Sequence, residues 1–353
     1  NTFIHKRYKY KYNLLMMGEK KVKKLLFILL CSMLIVGCGK VDSEKALKEF
    51  ETMVNNSDNY NLYGTMEIIN NEDVYNYEVS VSYLKGDYYK VNLVNTNNDH
   101  EQVILKNDEG VYVITPSLNK SFKFQSDWPN NSSQTYILES LLNDLKNDAN
   151  RELIEEENNL ILKSTVNYPN NSNLVNQAVT FSKEMELEKV EVFNSSGTAQ
   201  ITLVVTELDL KANNSKEIFN LNSIIQESEV ETESETTGTI DDIIYPMYIP
   251  TGTTYSSEEK VTNETSERVI LTYTGEKPFI MIEETAQIPE ETEVTAVNGE
   301  LVTYGNIIGV MTDTSLNWTS NGMEYYLISS NMNTEELLQI AASTATVAVS
   351  SVK

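Results

Sequence analysis

Few side chains in this 353-residue sequence can do covalent or metal chemistry: two cysteines, Cys31 and Cys38, and two histidines, His5 and His100, set against 52 Asp and Glu. A thiol is a nucleophile once ionised, which makes Cys38 a candidate for covalent modification. Zinc sites, Ser-His-Asp triads and Cys-His dyads draw on imidazole and thiolate together. Beyond Cys38 the sequence keeps one histidine and no further cysteine. Carboxylates do adjoin one another, at Glu155-Glu156-Glu157, Asp241-Asp242, Glu258-Glu259 and Glu283-Glu284. Glycoside hydrolysis needs two carboxyls facing one sugar, whereas neighbouring acids in so acidic a chain are expected on solvated faces. No Asp-x-Asp-x-Asp-Gly calcium loop is present. His100, between Asp99 and Glu101, is expected in a surface loop. No catalytic residue, metal ligand or cofactor is expected.

The residues leading to Cys38 explain its chemistry. Lys23–Cys38 reads KKLLFILLCSMLIVGC. Two lysines precede an apolar run, Leu25–Val36, and a small residue, Gly37, stands before the cysteine: a basic n-region, a short h-region and a cleavage point. As a helix the run covers about 18 Å, short of the roughly 20 residues a lasting membrane span needs. Leu34-Ile35-Val36-Gly37-Cys38 resembles the lipobox of bacterial lipoproteins. The resemblance implies that the Cys38 thiol takes a diacylglyceryl group and that cleavage leaves it as the first residue. Asn1–Asn13 is basic and aromatic without periodicity. Residues 1–37 are therefore expected to comprise an untranslated-like extension and a signal peptide, with translation starting at Val22.

Charge agrees with this placement. The segment before Cys38 carries net +7, which leaves −32 for the rest of a chain whose total is −25. So acidic a surface neither binds nucleic acid by counterion release nor clings to anionic lipid heads, so attachment falls to the acyl chains. The expected location is the outer face of the cytoplasmic membrane. Abundant Asn, Lys, Ile and Tyr with sparse Ala, Gly and Pro suit a low-GC Gram-positive source.

Apolar spacing predicts the elements. Ala46, Leu47, Phe50, Met53 and Val54 share one helical face, with Ser43 as N-cap. From Tyr60 the period becomes two. Tyr75, Tyr77, Val79, Val81 and Tyr83 alternate with polar residues, and Tyr88–Val94 repeats the pattern. Gln102–Lys106 and Gly110–Thr115 read as a hairpin. Trp128-Pro129 breaks the sheet, and Ser133–Asp148 reads as a helix. Strands resume at Leu153-Ile154, Leu160–Val166, Val175–Phe181, Leu187–Phe193 and Gln200–Leu210. An acidic linker is expected over 226–239. Beyond it, strands are expected at Ile243–Pro250, Arg268–Thr274, Pro278–Glu284, Glu293–Val297, Glu300–Tyr304, Ile307–Met311, Asn317–Ser320 and Met323–Ser329. Thr334 is expected to cap a final helix over Thr334–Ser343. Both halves are α+β: a domain over 42–225 and a smaller one over 240–345. Tyr63, Tyr75, Tyr77, Tyr83 and Tyr88 either line a cavity for an apolar ligand or pack the sheet against its helices. Trp128 either gates that cavity or anchors a loop.

Gly110–Leu145, GVYVITPSLNKSFKFQSDWPNNSSQTYILESLLNDL, resembles the LolA-like lipoprotein domains of clostridia, within the superfamily of the LolA and LolB carriers and the RseB regulators. The resemblance runs over roughly Asp42–Asn222. It implies a curved, half-open antiparallel β-barrel plugged by helices. Pro246–Gly252, Leu316–Trp318 with Gly322–Tyr325, and Asn333–Ile340 resemble a second, small module attached to membrane-anchored regulators. The function implied is non-catalytic: a tethered lipoprotein that binds an apolar ligand or a partner protein, as an envelope regulator or a sporulation or germination factor. Among related clostridial lipoproteins one serves as cofactor to a cortex-processing enzyme. A lipid or lipoprotein chaperone with an apolar cavity is the alternative, and a cell-wall hydrolase a third.

Overall fold

The computed structural model describes residues 43–70, 73–229 (backbone only at 226–229), 240, 242–263, 266–289, 293–320 and 322–344. Cys38, the signal segment and residues 230–239 of the expected linker lie outside them.

Helix α1 (Ser43–Asn55) forms on the predicted face and buries Ala46, Leu47, Phe50 and Val54. Strands β1 (Asn59–Asn70), β2 (Asp73–Leu84) and β3 (Tyr88–Asn95) form an antiparallel meander with β4 (His100–Asn107), β5 (Gly110–Thr115) and β6 (Lys120–Phe124). Helix α2 (Leu138–Asn147) follows, then β7 (Glu152–Glu155), β8 (Asn159–Thr165), β9 (Leu174–Ser182), β10 (Leu187–Asn194) and β11 (Ala199–Asp209). Strand β11 pairs with β1, so the two meanders fuse. At that junction a Cβ on Gly64 would stand 2.5 Å from the Val204 carbonyl oxygen, beside a bulge at Tyr63/Gly64. Only glycine permits the close approach.

The sheet is covered differently on its two faces. On one, Tyr60, Leu62, Met66 and Ile68 alternate with exposed Tyr63, Thr65 and Glu67. Helices α1 and α2 pack on each other and on β8, with Phe50 against Phe181 at 5.1 Å between ring centres. On the other face Tyr88, Val103, Leu105, Tyr112 and Ile114 are sealed by Phe219 and by Ile224 of α3 (Leu221–Glu229). Strands β4 and β5 are thus buried on both sides, which accounts for their unbroken apolar runs.

The second sheet is built from β12 (Thr253–Thr262), β13 (Glu267–Gly275), β14 (Phe279–Thr285), β16 (Glu300–Tyr304), β17 (Ile307–Met311), β18 (Ser315–Ser320) and β19 (Met323–Ile328), in the order β12-β13-β14-β19-β18-β17-β16. Its core joins Leu271, Met281, Trp318 and Leu327 to Leu337, Leu338 and Ile340 of α4 (Thr334–Ala342). One strand departs: β15 (Glu293–Val297) adds in parallel to β6, giving the first sheet twelve strands. Both sheets belong to one compact unit, Ser43–Lys353.

Four expectations are corrected. The first sheet is open, with β15 and β7 as its edges, and does not close into a barrel. Ile243–Pro250 is irregular, since Pro246 and Pro250 have no N–H for a ladder; the strand there is β12, whose polar sequence gives no alternation. Helix α2 starts at Leu138, because Ser133–Ile137 is irregular with a turn at Thr135-Tyr136, held out of the helix by Gln134 N–H donating to Ser140 Oγ (2.7 Å) and Ser133 N–H to the Asn167 carbonyl (2.7 Å). The cap of α4 is Asn333: its Oδ1 accepts from Glu336 N–H (2.9 Å), while Glu336 Oε2 accepts from Asn333 N–H (3.3 Å). Replacing Asn333 with Ala removes one side of this reciprocal cap and is expected to cost about 1 kcal/mol, measured by urea denaturation.

Candidate functional site

The face of β1–β4 that meets α2 holds most of the singled-out aromatic residues. At one end Tyr60 stacks on Tyr83 (4.8 Å), Tyr83 meets Tyr89 (5.0 Å), and Tyr89 meets the edge of Trp128 (5.9 Å). All four are buried. Tyr60 Oη donates to Glu139 Oε2 (2.9 Å) and accepts from Leu138 N–H (3.4 Å). Burial raises the Glu139 carboxyl above its ordinary range. Burial, and then the Glu139 charge, push the Tyr60 phenol well above its own. These rings and the leucines of α2 fill the interior here.

The other predicted tyrosines separate. Tyr63 is 42% exposed, on the opposite face of β1 from Tyr60, and lines no interior space. Tyr88 faces away from Tyr89: it packs on Phe219, hydrogen-bonds Asp108, and has the Lys216 ammonium 4.4 Å from its ring centre. Tyr75 and Tyr77 remain on the inner face. Tyr77 borders a small apolar space of about 60 Å³ with Met66, Leu93 and Tyr304. That is far below the roughly 300 Å³ at which ligand sites begin.

A second opening lies between β2–β4 and the second sheet. It measures about 380 Å³ and is lined by Tyr75, Tyr77, Asn95, His100, Gln102, Asn306, Trp318 and Thr319, among others. Strand register places the first group together: Tyr77 pairs with Asn95, Asn95 with His100, and Leu93 with Gln102. The β3–β4 turn is fixed by Asn98 Oδ1 accepting from His100 N–H (3.1 Å) and by Asp99 in the left-handed region (φ 54°). Across the opening, Thr319 Oγ1 lies 3.5 Å from Gln102 Nε2 and 3.3 Å from Thr115 Oγ1. Trp318 lies flat on Tyr325 (5.0 Å, 14°). His100 is not the surface residue expected: its Nε2 is buried, and burial holds its pKa below the ordinary value. Sequence reasoning also missed Tyr60, Tyr89, Glu139 and Asn306. The parity of Tyr60 with Leu62 was the available signal for the first; nothing local marks the others. Among the described residues no group of three or more His, Cys, Asp and Glu is arranged to hold a metal.

No family model matches this chain. The sporulation protein YdcC of Bacillus subtilis (strain 168) is 34% identical over 331 residues, which cover 92% of this chain and 98% of that protein. The chain belongs to the YdcC family. Solved structures similar to this YdcC-family chain include Pseudomonas aeruginosa MucB in complex with MucA (12% identity; 84% of this chain and 97% of that one; TM-score 0.32). A LolA superfamily protein from Nitrosomonas europaea covers 52% of the chain and is itself covered completely, at 100% (11% identity; TM-score 0.30). The complex of the CwlD amidase with the GerS lipoprotein from Clostridioides difficile aligns over 49% of this chain and 95% of that one (14% identity; TM-score 0.21). At these scores the superpositions carry no mechanistic argument.

On α2, Asp144 accepts from Gln177 Nε2 (3.4 Å), yet burial lifts its carboxyl from 3.8 to about 6. A raised folded pKa means the folded state holds its proton where the unfolded chain has lost it. Stability is therefore greatest below pH 4 as far as this group is concerned, and falls as pH rises from about 4 to about 6. The shift bounds the loss at about 3 kcal/mol, less screening because the side chain is only half-buried. Asp144→Asn is expected to gain stability relative to the parent across that interval, read from urea midpoints at pH 4, 5, 6 and 7; parallel curves would exclude it.

Proposed function

We propose that this YdcC-family chain is a non-catalytic lipoprotein, tethered by a lipid on Cys38 to the outer face of the cytoplasmic membrane, that holds a partner protein there during sporulation. In this reading the first sheet with α1 and α2 is the LolA-like domain implied by Gly110–Leu145, and the second sheet with α4 is the small regulator-type module. The observation that carries it is an exposed apolar strip. Tyr245, Met247, Tyr248, Ile249 and Tyr255 are all exposed, Met247 by 70%. Tyr245 meets Tyr255 edge-on at 6.3 Å. The strip is pinned to the end of α4, since Met247 N–H donates to the Ser343 carbonyl (3.2 Å) and Tyr248 N–H to Ser343 Oγ (3.0 Å). Clustered apolar exposure of this kind marks protein contact surfaces. It adjoins edge strand β12, whose outward charges, Glu258, Glu259 and Lys260, guard against indiscriminate strand pairing.

A partner protein is favoured over an acyl ligand because the inner face is occupied by Tyr60, Tyr83, Tyr89, Trp128 and the leucines of α2, leaving about 60 Å³ of apolar space. The sporulation setting rests on the relative's name, and the tether on the lipobox resemblance.

Crosslinking pull-down from sporulating cells is expected to recover one dominant envelope protein with the parent chain. A Met247→Glu, Tyr248→Ser double variant is expected to lose it while melting at the parent temperature. Recovery of no dominant protein at native levels, or equal recovery by the variant, would sink the reading. Cys38→Ser is expected to move the protein from the membrane to the soluble fraction on ultracentrifugation; retention in the membrane would refute the tether.

A further inference from the structure

The cleft between the sheets holds an unusual concentration of unmet hydrogen-bonding capacity. Among the described residues, nine side-chain polar atoms are buried without a partner. Three of them belong to residues lining this one opening: Tyr75 Oη, His100 Nε2 and Asn306 Oδ1. They come from three separate elements, β2, the start of β4 and the β16–β17 turn. Buried polar groups in folded proteins are overwhelmingly paired, with protein or with ordered water, so three atoms without a protein partner around one space are open to water or to a polar ligand.

The character of the occupant follows from the lining. Asp73 is the one carboxylate among the described lining residues, and no Lys or Arg stands there, in a chain of net charge −25. The remaining polar groups are amides and hydroxyls. A phenol donates or accepts, an amide oxygen accepts, and a neutral imidazole nitrogen does one or the other. Such a set is satisfied by a molecule that offers both donors and acceptors and carries no charge. Tyr77 and Trp318 supply aromatic wall, and Trp318 is held in place by Tyr325. Neutral hydroxyl groups on a compact ring, with aromatic surface beside them, fit this chemistry. The volume of about 380 Å³ sits at the small end of the roughly 300–1,000 Å³ range for small-molecule sites.

We infer that this cleft is a binding site for a small neutral ligand bearing hydroxyl and amide groups, the size of one or two sugar rings, held by Tyr75, His100 and Asn306. No residue of the exposed strip at Tyr245–Tyr255 lines this cleft, although Ile244 and Thr344 of its lining adjoin the strip, and binding there does not depend on a protein partner. Its geometry is set before binding: the β3–β4 turn is locked through Asn98 and Asp99, and Thr319 fixes the facing strand by its contacts with Gln102 and Thr115. Burial keeps the His100 imidazole neutral at neutral pH.

The test is isothermal titration of the full-length protein in detergent with N-acetylglucosamine and with its β-1,4-linked disaccharide. Saturable binding is expected with at least one of the two. Tyr75→Phe, which removes a single hydroxyl, and Asn306→Ala are each expected to weaken it roughly fivefold, the effect of one lost hydrogen bond. Thermal melting checks that both variants remain folded; Tyr75→Phe carries the test if Asn306→Ala does not. No saturable heat from either sugar, or variant titrations that superimpose on the parent, would overturn the proposal.

Discussion

A long sheet must have its apolar face covered along its whole length. Strands β1 and β2 each run for 12 residues, about 40 Å. Helices α1 and α2 have 13 and 10 residues, about 20 and 15 Å. They seal one end, around Tyr60, Tyr83 and Tyr89, and cannot reach the other. The second sheet takes the far end. Its place is fixed by the Lys120–Glu324 ion pair (2.5 Å), by Thr319 against Thr115 and Gln102, and by Asn70 Nδ2 donating to the Ala342 carbonyl (3.1 Å). The fixed contacts named in this seam are polar, beside a small apolar patch where Met66, Tyr77 and Leu93 face Tyr304 and Ile308, whereas the covered end is aromatic and aliphatic. The cleft lies where the two sheets meet without filling the space between them, and its lining mixes amides and hydroxyls with aromatic rings.

That division has an energetic reading. Lys120 and Glu324 are largely buried, with side chains 16% and 11% exposed. A pair so placed gives little net stability, since desolvation offsets attraction, yet losing one partner strands the other. Such a pair sets register rather than strength. The same holds for Glu283, which accepts from Tyr325 Oη (3.2 Å) and from Ile244 N–H (3.2 Å) while burial raises its pKa. The aromatic end supplies stability by area, and the polar seam supplies orientation.

The parts of this architecture legible in the sequence were those where one face decides a residue's type. Period-two alternation gave β2 and β3, and the turn residues at Asn107–Gly110 gave the β4–β5 hairpin; that both faces of these two strands are buried depends on the covering Phe219 and Ile224. The parity of adjacent tyrosines was less legible: Tyr88 and Tyr89 go to opposite faces, and only the covering elements determine which matters. Strand β12 escaped because both its faces are wet, so nothing in its sequence had to alternate. Ile243–Pro250 misled for the converse reason, being apolar without being paired. The cleft was illegible because Tyr75, His100 and Asn306 are brought together by the docking of two sheets, which no local spacing encodes. Family membership, by contrast, is carried by 92% of the chain.

Strand β15 has a consequence for how the chain comes to be complete. It follows β14 in sequence but lies in parallel beside β6, with Glu293 N–H reaching the Asn119 carbonyl (2.9 Å), before the chain returns to β16. The excursion works as a stitch. Until the last third of the polypeptide has emerged, β6 offers a bare row of backbone donors and acceptors to any passing strand. The first sheet is completed by a strand from beyond it, and the two halves therefore share one fate during folding: a chain cut short of β15 leaves not a smaller working module but a β6 stripped of its partner.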